Sequence, residues 1–356
     1  MPNLTPADIG DLLRSTLKEY GRMKFTELAT DLQQFIALNE MLKTNKETLD
    51  SGTSISWRLM LDHNNSARSV GLGATDIVDM PDLMGEAEVP WRFMTGNWAI
   101  EHHVVDMNRS PARLVDIVKE QRLGCLVSMA MYFEDKIWRA PAATNLLDPY
   151  GIPYYVVKSN VPATKANNDG FNGLAPADHT LVAGLNPVTN PRWRNYATQY
   201  SAVSKDDLIR KLRRATVKTD WKPPIPELGG QGFNTGNKYG LYTNYSVIGT
   251  MEEILESQND NLGNDIAPMD GRVLFRKSPL IYVPKLEDDT TDPVYGVNWG
   301  EFKTSVLRGW WMRETVIDIQ PGQHTVSATH IDCQFNWLTR NRRRHFVIAK
   351  DVTMPA

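Results

Sequence analysis

Two cysteines in 356 residues, Cys125 and Cys333, provide no disulfide framework and suit a reducing compartment. No apolar run approaches the length of a membrane span, so no membrane partner is expected. Met1-Pro2-Asn3-Leu4 has no basic stretch ahead of an apolar segment, so no secretory signal is expected either. A formal net charge of −3 argues against a protein whose main task is neutralising phosphates, which needs a large basic surface. Catalytic signatures are missing too. No Gly-Lys-Ser/Thr follows Gly229, Gly230, Gly232 and Gly236, and the chain has no Gly-x-Ser-x-Gly elbow and no His-Glu-x-x-His. Glu101-His102-His103 with Asp106 contains metal-capable groups, but neighbouring histidines on a strand point to opposite faces. The acidic loop of Glu287, Asp288, Asp289 and Asp292 lacks the glycine and ligand spacing of an EF-hand. No catalytic residue, metal or cofactor is therefore expected. A carbohydrate-active enzyme, using ten tryptophans as sugar platforms and a carboxylate pair, stands as an alternative, although no pair is singled out by spacing.

What the chain does have is an aromatic hairpin feeding a long helix. Ile55, Trp57, Leu59 and Leu61 alternate with Ser54, Ser56, Arg58 and Met60, the period-2 pattern of a half-buried strand. A polar tip and the acids Asp76, Asp79, Asp82, Glu86 and Glu88 follow. The return limb sets Trp91 with Phe93, then Trp98 with Ile100, His102 and Val104, and the phase shift near Gly96-Asn97 predicts a bulge. A two-stranded ribbon is marginal in water without a covering surface, so it folds back on its own domain or lies on a neighbour. Ser110-Pro111 reads as an N-cap followed by proline at the first helical position. From there to Trp138 no proline interrupts, giving a rod of roughly 40 Å. Leu114, Val118, Cys125, Met129 and Tyr132 form its apolar stripe, with Gln121 as a polar break.

Residues 1–50 read as two helices. Thr5-Pro6-Ala7-Asp8 resembles a capping box for the first. In the second, Phe25, Leu28, Leu32, Phe35 and Leu42 keep the spacing of a short coiled-coil seam. After the long helix, Tyr154-Tyr155-Val156-Val157 predicts a short strand, and Ser204 with Asp207 predicts a helix start. The basic run Arg210, Lys211, Arg213 and Arg214 reads as a solvated helix face before nucleic-acid contact. Further strands are expected at Val273 to Phe275, Leu280 to Val283, Val294 to Trp299, Thr315 to Ile319, Thr329 to Trp337 and Arg344 to Ala349. Asn341-Arg342-Arg343-Arg344 sits in a strand-like alternation, so its arginines are expected to pair with carboxylates across a subunit interface.

The order of these elements resembles the major capsid protein of tailed double-stranded-DNA bacteriophages. The residues that carry the likeness are Ser110 to Trp138, Pro187-Val188-Thr189-Asn190-Pro191-Arg192-Trp193-Arg194-Asn195, Ser278-Pro279-Leu280-Ile281-Tyr282-Val283-Pro284 and Tyr295-Gly296-Val297-Asn298-Trp299. The resemblance implies an α+β fold with an N-terminal helical arm (1–50) and a β-hairpin extended loop (51–109). It implies a peripheral domain (110–145 and 301–345) with spine helix 110–138, and an axial domain (146–300 and 346–356). It implies self-assembly through hexamers and pentamers into an icosahedral shell, with scaffolding, portal and cement proteins as further partners. Packaged double-stranded DNA would be contacted weakly and without sequence specificity, and the protein would reside in the virion after assembly in the host cytoplasm. Trp57, Trp91, Trp98, Phe25, Leu28, Leu32, Phe35, Arg342 and Arg343 are the expected interface residues. Some members weld subunits through an extended-loop lysine; residues 51–109 contain none, which removes that crosslink. An encapsulin-like nanocompartment shell shares the fold and is the alternative container.

Overall fold

A computed structural model of the chain describes residues 35–44, 46–62, 69, 71, 82–103, 111–165, 168–220, 239–259, 273–276, 278–315, 318–319 and 325–352. In chain order its elements begin with α1 (Ile36–Thr44), β1 (Lys46–Leu49), β2 (Ser54–Met60), β3 (Met84–Pro90), β4 (Arg92–Glu101) and α2 (Pro111–Ile137). Next come α3 (Ile152–Tyr155), β5 (Gly170–Gly173), β6 (Asn195–Tyr200), α4 (Leu208–Thr219), β7 (Tyr239–Thr243) and α5 (Tyr245–Asn259). The chain continues with β8 (Leu274–Phe275), β9 (Ser278–Tyr282), β10 (Val294–Asn298), β11 (Phe302–Leu307), β12 (Arg313–Glu314), β13 (Asp318–Ile319), β14 (Val326–Thr339) and β15 (Phe346–Lys350).

The long strand β14 organises the first sheet. On one side it pairs with β4 in an unbroken antiparallel register, from Val326 opposite Glu101 to Phe335 opposite Arg92. On the other side it pairs in turn with β13, β12 and β11, and β1 adds parallel to β11. Helix α2 lies on this sheet because Val118, Cys125, Met129, Phe133 and Ile137 make one buried stripe. Phe133 meets Phe335 of β14 with ring centroids 4.8 Å apart. The stripe thus passes through Phe133 where Tyr132 was expected; Tyr132 sits half-buried at its rim, its hydroxyl 3.3 Å from Asp148.

The second sheet runs β5-β6-β15-β10-β7-β9-β8, with α4 packed on β6 and β15. Its own core holds Tyr196, Tyr200, Leu208, Leu212, Val247, Met251, Phe346 and Ile348. The first sheet's core continues into it through Trp138, Tyr242, Tyr295 and Trp299. Trp299 Nε1 donates to Tyr242 Oη at 2.7 Å, so the buried indole keeps a partner.

Four expectations are corrected. No bulge occurs at Gly96-Asn97, where the β4–β14 register is continuous. Gly96 instead lets α2 approach: a Cβ there would lie 2.9 Å from Met129 Sδ and 3.0 Å from Cys125 Sγ. Tyr154-Tyr155 belongs to α3, not to a strand, because Pro153 starts a helical turn whose Val156 N–H donates to Ile152 O at 2.8 Å. Lys46–Leu49 is a strand rather than the end of a helix. The helix expected at Ser204 begins at Leu208, with the Ser204 hydroxyl accepting from Asp207 N at 3.2 Å.

The described part of the leading segment is tied to its own body. Glu134 of α2 accepts from Ala37 N at 3.1 Å, Leu38 N at 2.9 Å and Trp138 Nε1 at 2.9 Å. A buried carboxylate thereby satisfies the first amides of α1. Burial raises the Glu134 pKa, and these three bonds oppose the rise. Thr5 to Asp8, Phe25, Leu28, Leu32 and Ser110 lie outside the described residues.

Candidate assembly interface

The ribbon β2–β3 is held by alternation. Ile55, Ala87 and Val89 are buried against the body, with Trp57 and Leu59 half-buried beside them. The opposite face carries Ser56, Arg58 and Met60, which stand across from Glu88, Glu86 and Met84. Met60 and Met84, facing each other at the ribbon's outer end, are 56% and 53% exposed. The ribbon root is fixed to the second half of the chain, where Glu88 N donates to Ala183 O at 3.0 Å.

The alternation changes phase at Trp91–Arg92, where two successive residues are buried. Trp91 turns into a small cluster with Ile55 and Leu338, and its Nε1 donates to Gly52 O at 2.9 Å. Arg92 turns the other way, donating to Leu146 O and lying 5.2 Å from the Tyr150 ring centroid. From there β4 buries Arg92, Trp98 and Ile100 and exposes Phe93, Thr95, Asn97, Ala99 and Glu101. Phe93 ends 69% exposed.

A second apolar display follows α2. Leu146 and Leu147 are 70% and 79% exposed, yet their turn is rigidly bonded. Asn145 Oδ1 accepts from Leu147 N at 3.0 Å, and Asp148 pairs with Lys136 at 2.6 Å and accepts from Asn145 Nδ2 at 2.9 Å. Two large apolar side chains are thus held in water by half-buried polar anchors, the kind of display that marks a candidate interaction surface.

The expected interface residues divide. Trp91 and Trp98 are packed in the chain's own core, so they cannot present their rings to a neighbour. Trp57 is half-buried between two apolar clusters. Phe35 is half-buried; Phe25, Leu28 and Leu32 lie outside the described residues. Arg342 is an internal tie, not an interface cation. It is fully buried and donates to Tyr155 O at 2.8 Å, Trp193 O at 2.8 Å, Leu174 O at 2.7 Å and Asn195 Oδ1 at 3.2 Å. Burial lowers its pKa to about 9. Arg344 pairs inside the chain with Glu301 at 3.2 Å. Arg343 alone of the three reaches outward, its guanidinium 4.1 Å from the Phe171 ring centroid.

Sequence reasoning missed Phe93, Met84, Leu146 and Leu147. For Phe93 the signal was the phase of β4, which only the pairing with β14 reveals. For the leucine pair it was local: Asn145 and Asp148 bracket Leu146-Leu147 as a capped turn. Among the described residues no group of three metal-capable side chains converges, and no helix is long and apolar enough to cross a membrane.

No protein-family model and no curated protein matches the sequence. Solved structures do match. The chain is similar to one from the cyanophage A-1(L) capsid, with a TM-score of 0.62 at 11% identity, covering 93% of this chain and 96% of that one. The fold is that of phage capsid proteins. A chain from the capsid of a native GTA particle aligns over 94% of this chain and 97% of its own, at TM-score 0.54 and 8% identity. One from Microbacterium phage Oxtober96 aligns over 98% and 100%, at TM-score 0.52 and 11% identity.

Proposed function

We propose that this chain is the shell-forming subunit of a tailed-phage capsid, associating through hexamers and pentamers into a closed icosahedral particle around double-stranded DNA. In that reading β2–β3 is the extended loop, α2 the spine helix, the β14-centred sheet the peripheral domain and the β15-centred sheet the axial domain. Strands β1 and β4 then belong with the peripheral domain, because both are paired into its sheet. Scaffolding, portal and cement proteins are the further partners of such a shell, and its place is the virion after assembly in the host cytoplasm.

The observation that carries the reading is the outward apolar set Met60, Met84, Phe93, Leu146 and Leu147, displayed on firmly bonded backbone. Covering one such side chain contributes about 1.5–3 kcal/mol, so each contact is reversible while many together hold a shell. Heterologous contacts of this kind close into rings when the rotation permits. The test is electron microscopy and sedimentation of the purified protein, with the Phe93→Asp variant alongside. Closed particles are expected from the wild type, and folded but unassembled subunits from the variant. A wild type that stays monomeric at every concentration would end this reading.

A further inference from the structure

We propose that the tight turn at residues 182–185 is a latch that fixes the orientation of the β2–β3 ribbon on the free subunit, so that the ribbon meets neighbouring copies already positioned. The latch is a property of the single chain, and its use in assembly rests on the shell reading.

The ribbon's own hydrogen bonds leave one edge of β3 open. Leu61 N donates to Leu83 O at 3.0 Å, and antiparallel alternation then gives ladder bonds to Leu59 with Gly85, Trp57 with Ala87 and Ile55 with Val89. Glu86 and Glu88 fall between these pairs, so their N–H groups point away from β2. The Glu88 amide donates to Ala183 O at 3.0 Å, whereas the Glu86 amide has no acceptor among the described residues. Beside that bond, Leu185 reaches the ribbon where it lacks a side chain. A Cβ on Gly85 would lie 3.7 Å from Leu185 Cδ2 and 2.5 Å from Leu61 Cδ1. Farther out, a cavity of about 520 Å³ lies between Leu61, Asp82 and Met84 of the ribbon and the segment 189–192 of the body. The outer end thus stands off this part of the body, and the turn is where the free edge is held.

The turn is itself held from both sides. Val182 and Leu185 exchange backbone bonds of 2.9 and 3.1 Å around Ala183 and Gly184, whose φ values are 50° and 78°. Positive φ at both central residues suits a tight hairpin turn, but an alanine adopts it only under constraint. Ala183 N donates to Tyr154 Oη at 3.1 Å, and Trp193 Nε1 donates to Val182 O at 3.0 Å. Trp193 is in turn tied to Arg342 through its carbonyl. At the other anchor, Trp91 and Ile55 hold the ribbon's root to Leu338 of the first sheet. Two separated anchors fix a direction where one would leave a pivot. A ribbon fixed before contact gives up less freedom when a neighbour covers it.

The first measurement is amide exchange on the whole wild-type chain, kept below the concentration at which particles form. The Glu88 amide is expected to exchange about tenfold or more slowly than that of Glu86, and equal rates overturn the latch. The second is Glu88→Pro, which removes the bonded N–H from an edge and leaves the β2–β3 ladder intact. Glu88→Gln keeps the amide and is expected to assemble like the wild type. Gly184→Val strains the same turn from the body side, because a φ of 78° disfavours a branched side chain. Glu88→Pro and Gly184→Val are each expected to raise the concentration needed for particles about tenfold. Either one, folded and assembling like the wild type, overturns the role in assembly. An equal loss in Glu88→Gln also overturns it, since the carboxylate would then be the cause. A protected Glu88 amide in a wild type that forms no particles at any concentration keeps the latch and ends the shell reading instead.

Discussion

The junction between the two sheets and the outer face of the ribbon invert the usual placement of side chains. At the junction Arg342 is fully buried, with His345 and Arg344 beside it, whereas Met60 on the ribbon's outer face is 56% exposed and Phe93 on the following strand β4 is 69% exposed. The difference lies in what satisfies each group. Every bond Arg342 needs comes from carbonyls and an amide of its own chain, so its burial leaves few polar atoms orphaned. Phe93, Met60 and Met84 each stay more than half exposed among the described residues. One region satisfies its own side chains, and the other leaves large apolar ones exposed, as the proposed shell reading requires.

The largest expected effect breaks the self-sufficient region. Arg342→Met removes the donors to Tyr155, Leu174 and Trp193 together and should cost about 3–5 kcal/mol, read as a lower urea midpoint of the soluble subunit. Phe93→Asp, by contrast, should change the stability read from that midpoint by no more than about 0.5 kcal/mol, because its ring is already in water. Equal losses in the two variants would erase the distinction.

Next in size is an acid effect at the same junction. The Asn298 N–H donates to His345 Nδ1 at 3.1 Å, so Nε2 carries the proton and donates to the Thr339 hydroxyl at 2.7 Å. Burial first, then Arg342 and Arg344, push the imidazole down to about 3 from the ordinary 6.5. With the folded pKa depressed, the His345 contribution is intact above pH 6.5 and is lost as the pH falls toward about 3, where only the unfolded chain has taken the proton. The slope is on the order of 1.4 kcal/mol per pH unit within that window. The raised carboxyl of Glu134 acts with the opposite sign, so the informative quantity is the wild type minus His345→Asn. Parallel pH profiles for the two would refute the assignment.

Smaller than the losses at the junction is the effect of loosening the docking of α1 on α2. Glu134→Ala should cost about 1 kcal/mol, the scale of a lost helix cap, and should speed amide exchange at Ala37 and Leu38 while α2 stays protected. Unchanged exchange at those two amides would remove Glu134 from the docking of α1.

Much of this was legible beforehand. Pro111 with an uninterrupted run to Trp138 marks α2, and the alternation from Ile55 to Leu61 marks β2. The strand-like run from Thr329 to Trp337 marks β14. Less legible was the pair Trp91–Arg92, where the buried face changes sides, because local pattern only reported that a phase shift existed. The run Asn341 to Arg344 misled for a similar reason: three adjacent arginines read alike, yet one is a buried tie, one an internal ion pair and one an outward cation.

Periodicity along the chain determined that there would be a ribbon, a rod-like helix and strands with two distinct faces, since each depends on neighbours a few residues away. Which face met the chain's own core, and which was left exposed, was decided only when β14 paired with β4 and Arg342 found carbonyls on three separate segments. Those contacts join residues far apart in sequence. The free energy of burying a side chain depends on the surface that arrives to cover it, and local pattern carries no record of that surface.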